Sequence, residues 1–287
     1  MERIKRIVKK MISIICKPEM KILPGNVAFF LVLSIVPIVI LIGVICSMMS
    51  ISTDTLSNFM NSYFPEQISD ILVPYFSGQG VNLNVIIFTI MGFFIASNGA
   101  HAIIIASNRL YGVEDSSFLK KRLKAFNMII LLIFTIIFML LFLAFGSKIM
   151  NFLTNRVLGD FASVVYYAYL IIKWPIGLLF IFIIVKLLYA LAPDKKIKSK
   201  YVNRGALFTT IGWVITTFIY GYYATNIANY SLFYGSLSSI VVMMFWFYLI
   251  AYILVIGIVI NITSYEMSTL AKESEKDGVR SKILLRK

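Results

Sequence analysis

The run AFNMIILLIFTIIFMLLFLAFG, Ala125 to Gly146, decides the fold class. Asn127 and Thr135 are its only strongly polar side chains. A bilayer hydrocarbon core of roughly 30 Å is crossed by about 20 apolar helical residues. The run is apolar on every side, without the alternation of a barrel strand, so it predicts a helix facing lipid. Five further stretches qualify on either side of it: Val27–Met49, Leu83–Ser107, Tyr166–Leu191, Gly205–Asn226 and Leu237–Ile262. The expectation is an all-α integral membrane protein with six spans. One membrane domain covers 26–265, between a basic cytoplasmic segment, 1–25, and a cytoplasmic tail, 266–287. Composition agrees. Of 287 residues 60% are hydrophobic and 14% charged, and the mean hydropathy is +0.88. Soluble domains average about 25% charged. A fold of this size cannot hide so much apolar side chain, which excludes a soluble enzyme, a disordered chain and a disulfide-stapled secreted domain.

The charge distribution orients the spans. Residues 1–26, 108–124, 192–204 and 263–287 carry seven, five, five and six Lys or Arg; 50–82, 147–165 and 227–236 carry none, two and none. Basic residues collect on the cytoplasmic side, so both termini are expected there, in a bacterial inner membrane. The net charge of +14 is thus a topology signal. It suits anionic lipid headgroups and makes nucleic acid an unnecessary partner. Cys16 and Cys46 fall about a membrane thickness apart, too far for a disulfide. Ile4, Val8, Met11 and Ile15 share one face of a segment whose other face holds Lys5, Arg6, Lys9 and Lys10, which predicts a surface helix. The long segment 50–82 predicts two short amphipathic helices on the outer side, as a packing cap or as a lid. The tail after Ser268 reads as a frayed helix or as disordered.

Polar residues within the spans give the site candidates. In the fifth span Gly205, Thr209, Gly212, Thr216, Tyr220 and Tyr223 form one stripe, opposite Phe208, Ile211, Ile215 and Phe218. In the second span Gly92, Ala96, Gly99, Ile103 and Ala106 form a small-residue face beside a more polar one of Asn98, His101, Ile105 and Asn108. Asn26, Phe30, Ser34 and Pro37 share a side of the first. Small residues let helices approach, and hydroxyls bond between them. Asn26, Ser34, Asn98, His101, Thr209, Thr216 and Tyr220 are therefore candidates for a cavity. Each has a packing alternative; His101 in particular suits either packing or a substrate or proton role. Asn108, Arg109, Tyr111 and Arg204 are candidates at the cytoplasmic mouth, as structural or phosphate-binding groups. Asn108 is placed to close the second helix, and Arg109 to pair with Glu114 or Asp115. The middle of each span lacks Asp and Glu. A cation-coupled transporter usually needs them there, so the substrate expected is anionic or amphipathic. No nucleophile-with-base pattern, metal cluster or phosphate loop is present in the sequence, so no catalytic residue, metal or cofactor is expected.

The run Ala28-Phe29-Phe30-Leu31-Val32-Leu33-Ser34-Ile35-Val36-Pro37 resembles the first-span signature of the YihY/BrkB family of bacterial inner-membrane proteins. Asn108-Arg109-Leu110-Tyr111-Gly112-Val113-Glu114 is similar to the motif after that family's second span. Pro193-Asp194, Gly205-Ala206, Trp213, Tyr234-Gly235-Ser236-Leu237 and Trp246-Phe247-Tyr248 resemble its second half. The resemblance implies six spans with cytoplasmic termini. It implies a transporter, a lipid-related protein or a virulence factor, and treats the family's old ribonuclease label as a misassignment. The polar stripes themselves leave open a non-transporting membrane scaffold, since each could be packing alone. Two departures stand out. Phe29 replaces the family's usual Tyr, and Gly257-Ile258-Val259 replaces its usual Gly-Ala-Glu.

Overall fold

The computed structural model describes residues 2–48, 54, 57, 58, 61, 83–114, 116–156, 162–228, 230 and 234–284. Seven α-helices account for most of them: α1 Glu2–Ile15, α2 Glu19–Met48, α3 Leu83–Tyr111, α4 Phe118–Arg156, α5 Ala162–Leu191, α6 Asn203–Asn226 and α7 Ser238–Leu284. Among the described residues there is no strand. The helices expected within 50–82 lie outside the described residues.

Four helices contain segments long and apolar enough to cross a membrane: Ile90–Tyr111, Phe118–Met139, Trp174–Leu191 and Ser238–Thr269. A fifth span results if α1 and α2, which meet at a 65° bend, are taken together. The fifth expected span, α6, forms a helix of 24 residues, but its Thr and Tyr stripe leaves it outside the apolar set. One boundary differs from expectation. Pro24 and Gly25 do not delay the first long helix, which starts at Glu19 and holds Pro24 in its second turn. Of the two readings expected for the tail after Ser268, the structure has the helical one. The last helix runs unbroken through Leu284, 47 residues or about 70 Å at 1.5 Å per residue, far longer than a bilayer core.

Each long helix packs on its neighbour in the closed order α2–α3–α4–α5–α6–α7 and back to α2. The most extensive pair is α2 with α3. The small face of α3, with Ala96, Gly99, Ile103 and Ala106 buried, lies against α2. Gly92 faces Pro37, and a Cβ on Gly99 would sit 3.0 Å from Ser34 Oγ. Pairs α6 and α7 run antiparallel at comparable closeness. A Cβ on Gly205 would overlap the carbonyl of Gly257, and one on Gly257 would overlap the Tyr189 and Thr209 hydroxyls. Opposite this seam Phe208, Ile211, Ile215 and Phe218 are exposed, where lipid would replace water. The largest apolar core joins Ala96, Ala100, Ile104, Ala125, Met128, Val185, Leu188, Leu254 and Ile258. A smaller one joins Ile42 to Tyr220, Val242, Trp246 and Ile250.

Backbone atoms cannot yield as a flexible side chain can, so Gly205→Ala should destabilise the protein by about 1–3 kcal/mol, the usual cost of overpacking. Gly25→Ala, with nothing within 4 Å of the added Cβ, should be neutral. Thermal unfolding of the two variants in one detergent checks the pair.

Candidate functional site

Among the described residues, polar groups from different helices meet in several clusters. The first lies between α2 and α3. Ser34 Oγ donates to its own helix at Phe30 O (2.6 Å), as serines in spans commonly do, and accepts the N–H of Gly99 (3.0 Å). Glycine at 99 permits that approach.

The second stitches α5, α6 and α7. The Tyr189 hydroxyl donates to Leu254 O (2.8 Å) and lies 2.6 Å from Thr209 Oγ1. Gly205 N–H donates to Asn261 Oδ1 (2.8 Å), Trp213 Nε1 to Ile250 O (2.9 Å), Trp246 Nε1 to Thr217 Oγ1 (3.2 Å) and Tyr220 to Val242 O (3.0 Å). These five rungs follow the antiparallel seam from one end to the other.

The third gathers where α3, α4 and α5 end or begin. Gly112, at φ 61°, turns the chain out of α3, with Val113 N–H on Asn108 O and Gly112 N–H on Arg109 O. That is a Schellman closure, for which glycine is the natural residue. Asn108, expected to close this helix, is buried and does something else. Its Nδ2 donates to Asp194 Oδ2 (2.8 Å), and its Oδ1 accepts the Asp194 N–H (2.8 Å). Lys124 Nζ donates to Asp194 Oδ1 (2.6 Å) and to Ala192 O (2.8 Å), and Ser116 N–H reaches Asp194 Oδ2 (3.3 Å). Desolvation alone would raise the Asp194 pKa. The hydrogen bonds from Lys124, Ser116 and Asn108, with the Lys124 charge, outweigh it and hold the carboxyl well below the usual range. Both oxygens are occupied, so Asp194 is a clamp and not a proton carrier.

The remaining sequence candidates disperse. Asn98 accepts from Arg122 Nη1 (2.7 Å), and His101 packs edge-on against Phe118, 6.3 Å between ring centres. Thr216 is half-buried, and Asn26 is exposed, away from Ser34. Arg204 is exposed. Arg109 is exposed and pairs with no carboxylate among the described residues, so the expected link to Glu114 is not formed; Asp115 lies outside them. The Tyr111 hydroxyl is buried without a partner among the described residues. Among the described residues the candidates thus sit in several helix interfaces. Lys10 of α1 pairs with Glu266 of α7, which holds the amphipathic helix against the bundle. Sequence reasoning missed Tyr189, Asn261, Lys124 and Arg122. Tyr189 and Asn261 carried a readable signal, a polar side chain inside a span near its end. Arg122 and Lys124 were legible only as topology charge. Among the described residues no group of three or more His, Cys, Asp or Glu is placed to hold a metal ion.

The fold and these clusters define a polytopic helical membrane protein whose polar groups are spent on helix–helix contacts. The sequence model of the family described as "Virulence factor BrkB" matches residues 19–281, and the chain belongs to that family. Among its relatives, a protein of Bacillus subtilis named "Putative ribonuclease-like protein YfkH" is 32% identical over 257 residues, 87% of this chain and 92% of that one. A UPF0761 membrane protein of Prosthecochloris aestuarii is 27% identical over 79% of this chain and 53% of its own length. Another, from Idiomarina loihiensis, is 26% identical over 37% of each. No solved structure matches the chain.

The Asp194–Lys124 pair is partly buried, and hydrogen bonds to a charged group contribute about 1.5–3 kcal/mol. Asp194→Ala should lose about 2 kcal/mol, and Asn108→Ala combined with it should cost less than the two separately, since they share bonds. A double-mutant cycle measured by unfolding checks both. The pH dependence follows from the depressed carboxyl: its stabilisation is complete above the unfolded value of about 4 and fades as pH falls toward the lower folded value. In Asp194→Ala that acid limb should flatten.

Proposed function

We propose that this BrkB-family protein translocates an anionic, amphipathic lipid across a bacterial inner membrane, with six spans and both termini in the cytoplasm. One observation carries the reading. Ser34, Tyr189, Thr209, Trp213, Tyr220 and the Asn261 oxygen are bonded to neighbouring helices, which leaves less polar lining for a hydrophilic solute. Phe180, Ile181, Phe182, Ile183 and Ile184 of α5 are all partly buried, with Ile181, Phe182 and Ile184 packed against the main core. Trp174, Leu178 and Leu179, earlier on the same helix, are exposed. The outer side of α5 is thus an apolar surface for acyl chains. The basic segments at one end supply attraction for an anionic headgroup. Six spans and cytoplasmic termini rest on the alternation of basic residues, with α6 counted as a span because α7 and α5 take up its polar groups.

A scaffold that transports nothing is the second reading, favoured by the closeness of α6 and α7 at Gly205 and Gly257. A ribonuclease reading, suggested by the Bacillus relative's name, has less support. The one histidine, His101, sits in a helix interface, and the Asp194 carboxylate has both oxygens engaged.

Reconstitution in vesicles with a headgroup-labelled phosphatidylglycerol tests translocation, with a membrane-impermeant quencher reading the outer leaflet. The expected result is protein-dependent exchange, slowed about tenfold by Ile181→Trp or Ile184→Trp in protein that still folds. No exchange above empty vesicles would leave the scaffold reading. Topology has its own check. In a variant lacking Cys16 and Cys46, an impermeant thiol reagent applied to intact cells should label cysteines placed in 150–162 and not those in 193–203; the reverse would overturn six spans.

A further inference from the structure

Arg122 is the one charged residue among the fully buried described positions, 8% exposed. A guanidinium carries five N–H donors. Nη1 donates to Asn98 Oδ1 (2.7 Å) and Nη2 to Phe94 O (3.1 Å), both neutral acceptors. Nε is buried with no acceptor among the described residues. The guanidinium carbon lies 3.7 Å from the centre of the Phe94 ring and 5.3 Å from that of Phe126. Stacking helps a cation but does not neutralise it. Among the described residues no carboxylate pairs with it, and a buried charge without a counter-charge is costly, above all within a bilayer.

The surroundings indicate what supplies the missing charge. Asn98 and His101 lie one turn apart on α3, and Phe118 and Arg122 one turn apart on α4. The two pairs face each other through the bonds above and the His101–Phe118 contact. The rim of this groove is apolar and open: Phe94, Phe118, Leu119 and Leu123 are each more than half exposed. A ligand entering over such a rim comes from the hydrocarbon side. We propose that the α3–α4 groove binds the phosphate of an anionic lipid, with Arg122 as its cation and the exposed rim against its acyl chains. The planar fork of arginine suits phosphate oxygens. The site deepens the lipid reading above by giving it a headgroup contact, and rests on that reading.

Binding is measured on the full chain in neutral detergent by native mass spectrometry and by thermal shift, with phosphatidylglycerol, phosphatidylcholine and inorganic phosphate as probes. Wild-type protein should bind phosphatidylglycerol at least tenfold more tightly than phosphatidylcholine. Asn98→Asp is the informative variant, because it sets a carboxylate of the same size against Arg122 and supplies the counter-charge internally. It should fold at least as stably as wild type and lose about tenfold in phosphatidylglycerol affinity. Arg122→Gln should lose a similar factor, and Asn98→Asp keeps the test open if that variant fails to fold. Wild-type phosphatidylglycerol affinity in Asn98→Asp overturns the site. Phosphate competing away the lipid supports a phosphate pocket reached also from water, and phosphate without effect supports entry from the bilayer alone. Phosphate binding where phosphatidylglycerol does not bind overturns the lipid assignment. Binding is read here without movement, so lost selectivity with lipid exchange intact removes this site alone, and selective binding without exchange removes the translocator alone.

Discussion

In hydrocarbon a polar group has no water to fall back on and must find its partner inside the protein. That constraint organises this bundle. The Ser34 hydroxyl, the Tyr189 hydroxyl, the Trp213 indole and the Asn261 amide each end on a backbone or side-chain group of an adjacent helix. Each such bond fixes a distance between two helix axes, and the residue opposite must then be small. Gly99 lies where Ser34 needs room, and Gly205 and Gly257 lie where Asn261, Thr209 and Tyr189 do. The glycines and the polar side chains are two halves of one device.

The device is unevenly distributed around the ring. The α2–α3 and α6–α7 pairs are drawn together by it. Helix α5 is tied at its Tyr189 end and, beyond it, by the Asp194 clamp that follows Leu191. Midway along, at 180–184, it is held by apolar packing alone, with Ile181, Phe182 and Ile184 against the main core. Apolar packing has no preferred partner atom, so that stretch is positioned less specifically than the Tyr189 end.

The sequence made the helices and their lipid faces legible because both depend on a helix's own pattern. The apolar run 125–146 and the faces of α6 follow from a 3.6-residue period and a bilayer's thickness. Partners were less legible. Thr209 and Tyr220 read equally well as cavity lining or packing, because their partners are a tyrosine twenty residues back and a main-chain carbonyl, and a carbonyl has no residue type to recognise. Asn108 looked like a cap for its own helix, yet Gly112 closes that helix and frees the amide for Asp194. Two of the five basic residues in 108–124 are similarly redirected. Counted alike, all five orient the chain; in the fold Lys124 neutralises Asp194, Arg122 is buried on Phe94, and Arg109 is exposed.

The departure at residue 259 bears on what such a protein uses for charge. The family resemblance implies Glu where Val259 stands. Val259 is fully buried in the main apolar core, beside Leu254, Val255 and Ile258. A carboxylate there would need its own counter-charge, and the core supplies none among the described residues. With valine the α7 core stays neutral and the polar work passes to Asn261, one turn-half further on, which accepts from Gly205 N–H without carrying charge. Among the described residues Arg122 is the one buried formal charge, on the opposite side of the ring from the α6–α7 seam. A core that is otherwise neutral around one buried cation concentrates its field at that edge, because in a low dielectric no nearby acid screens it.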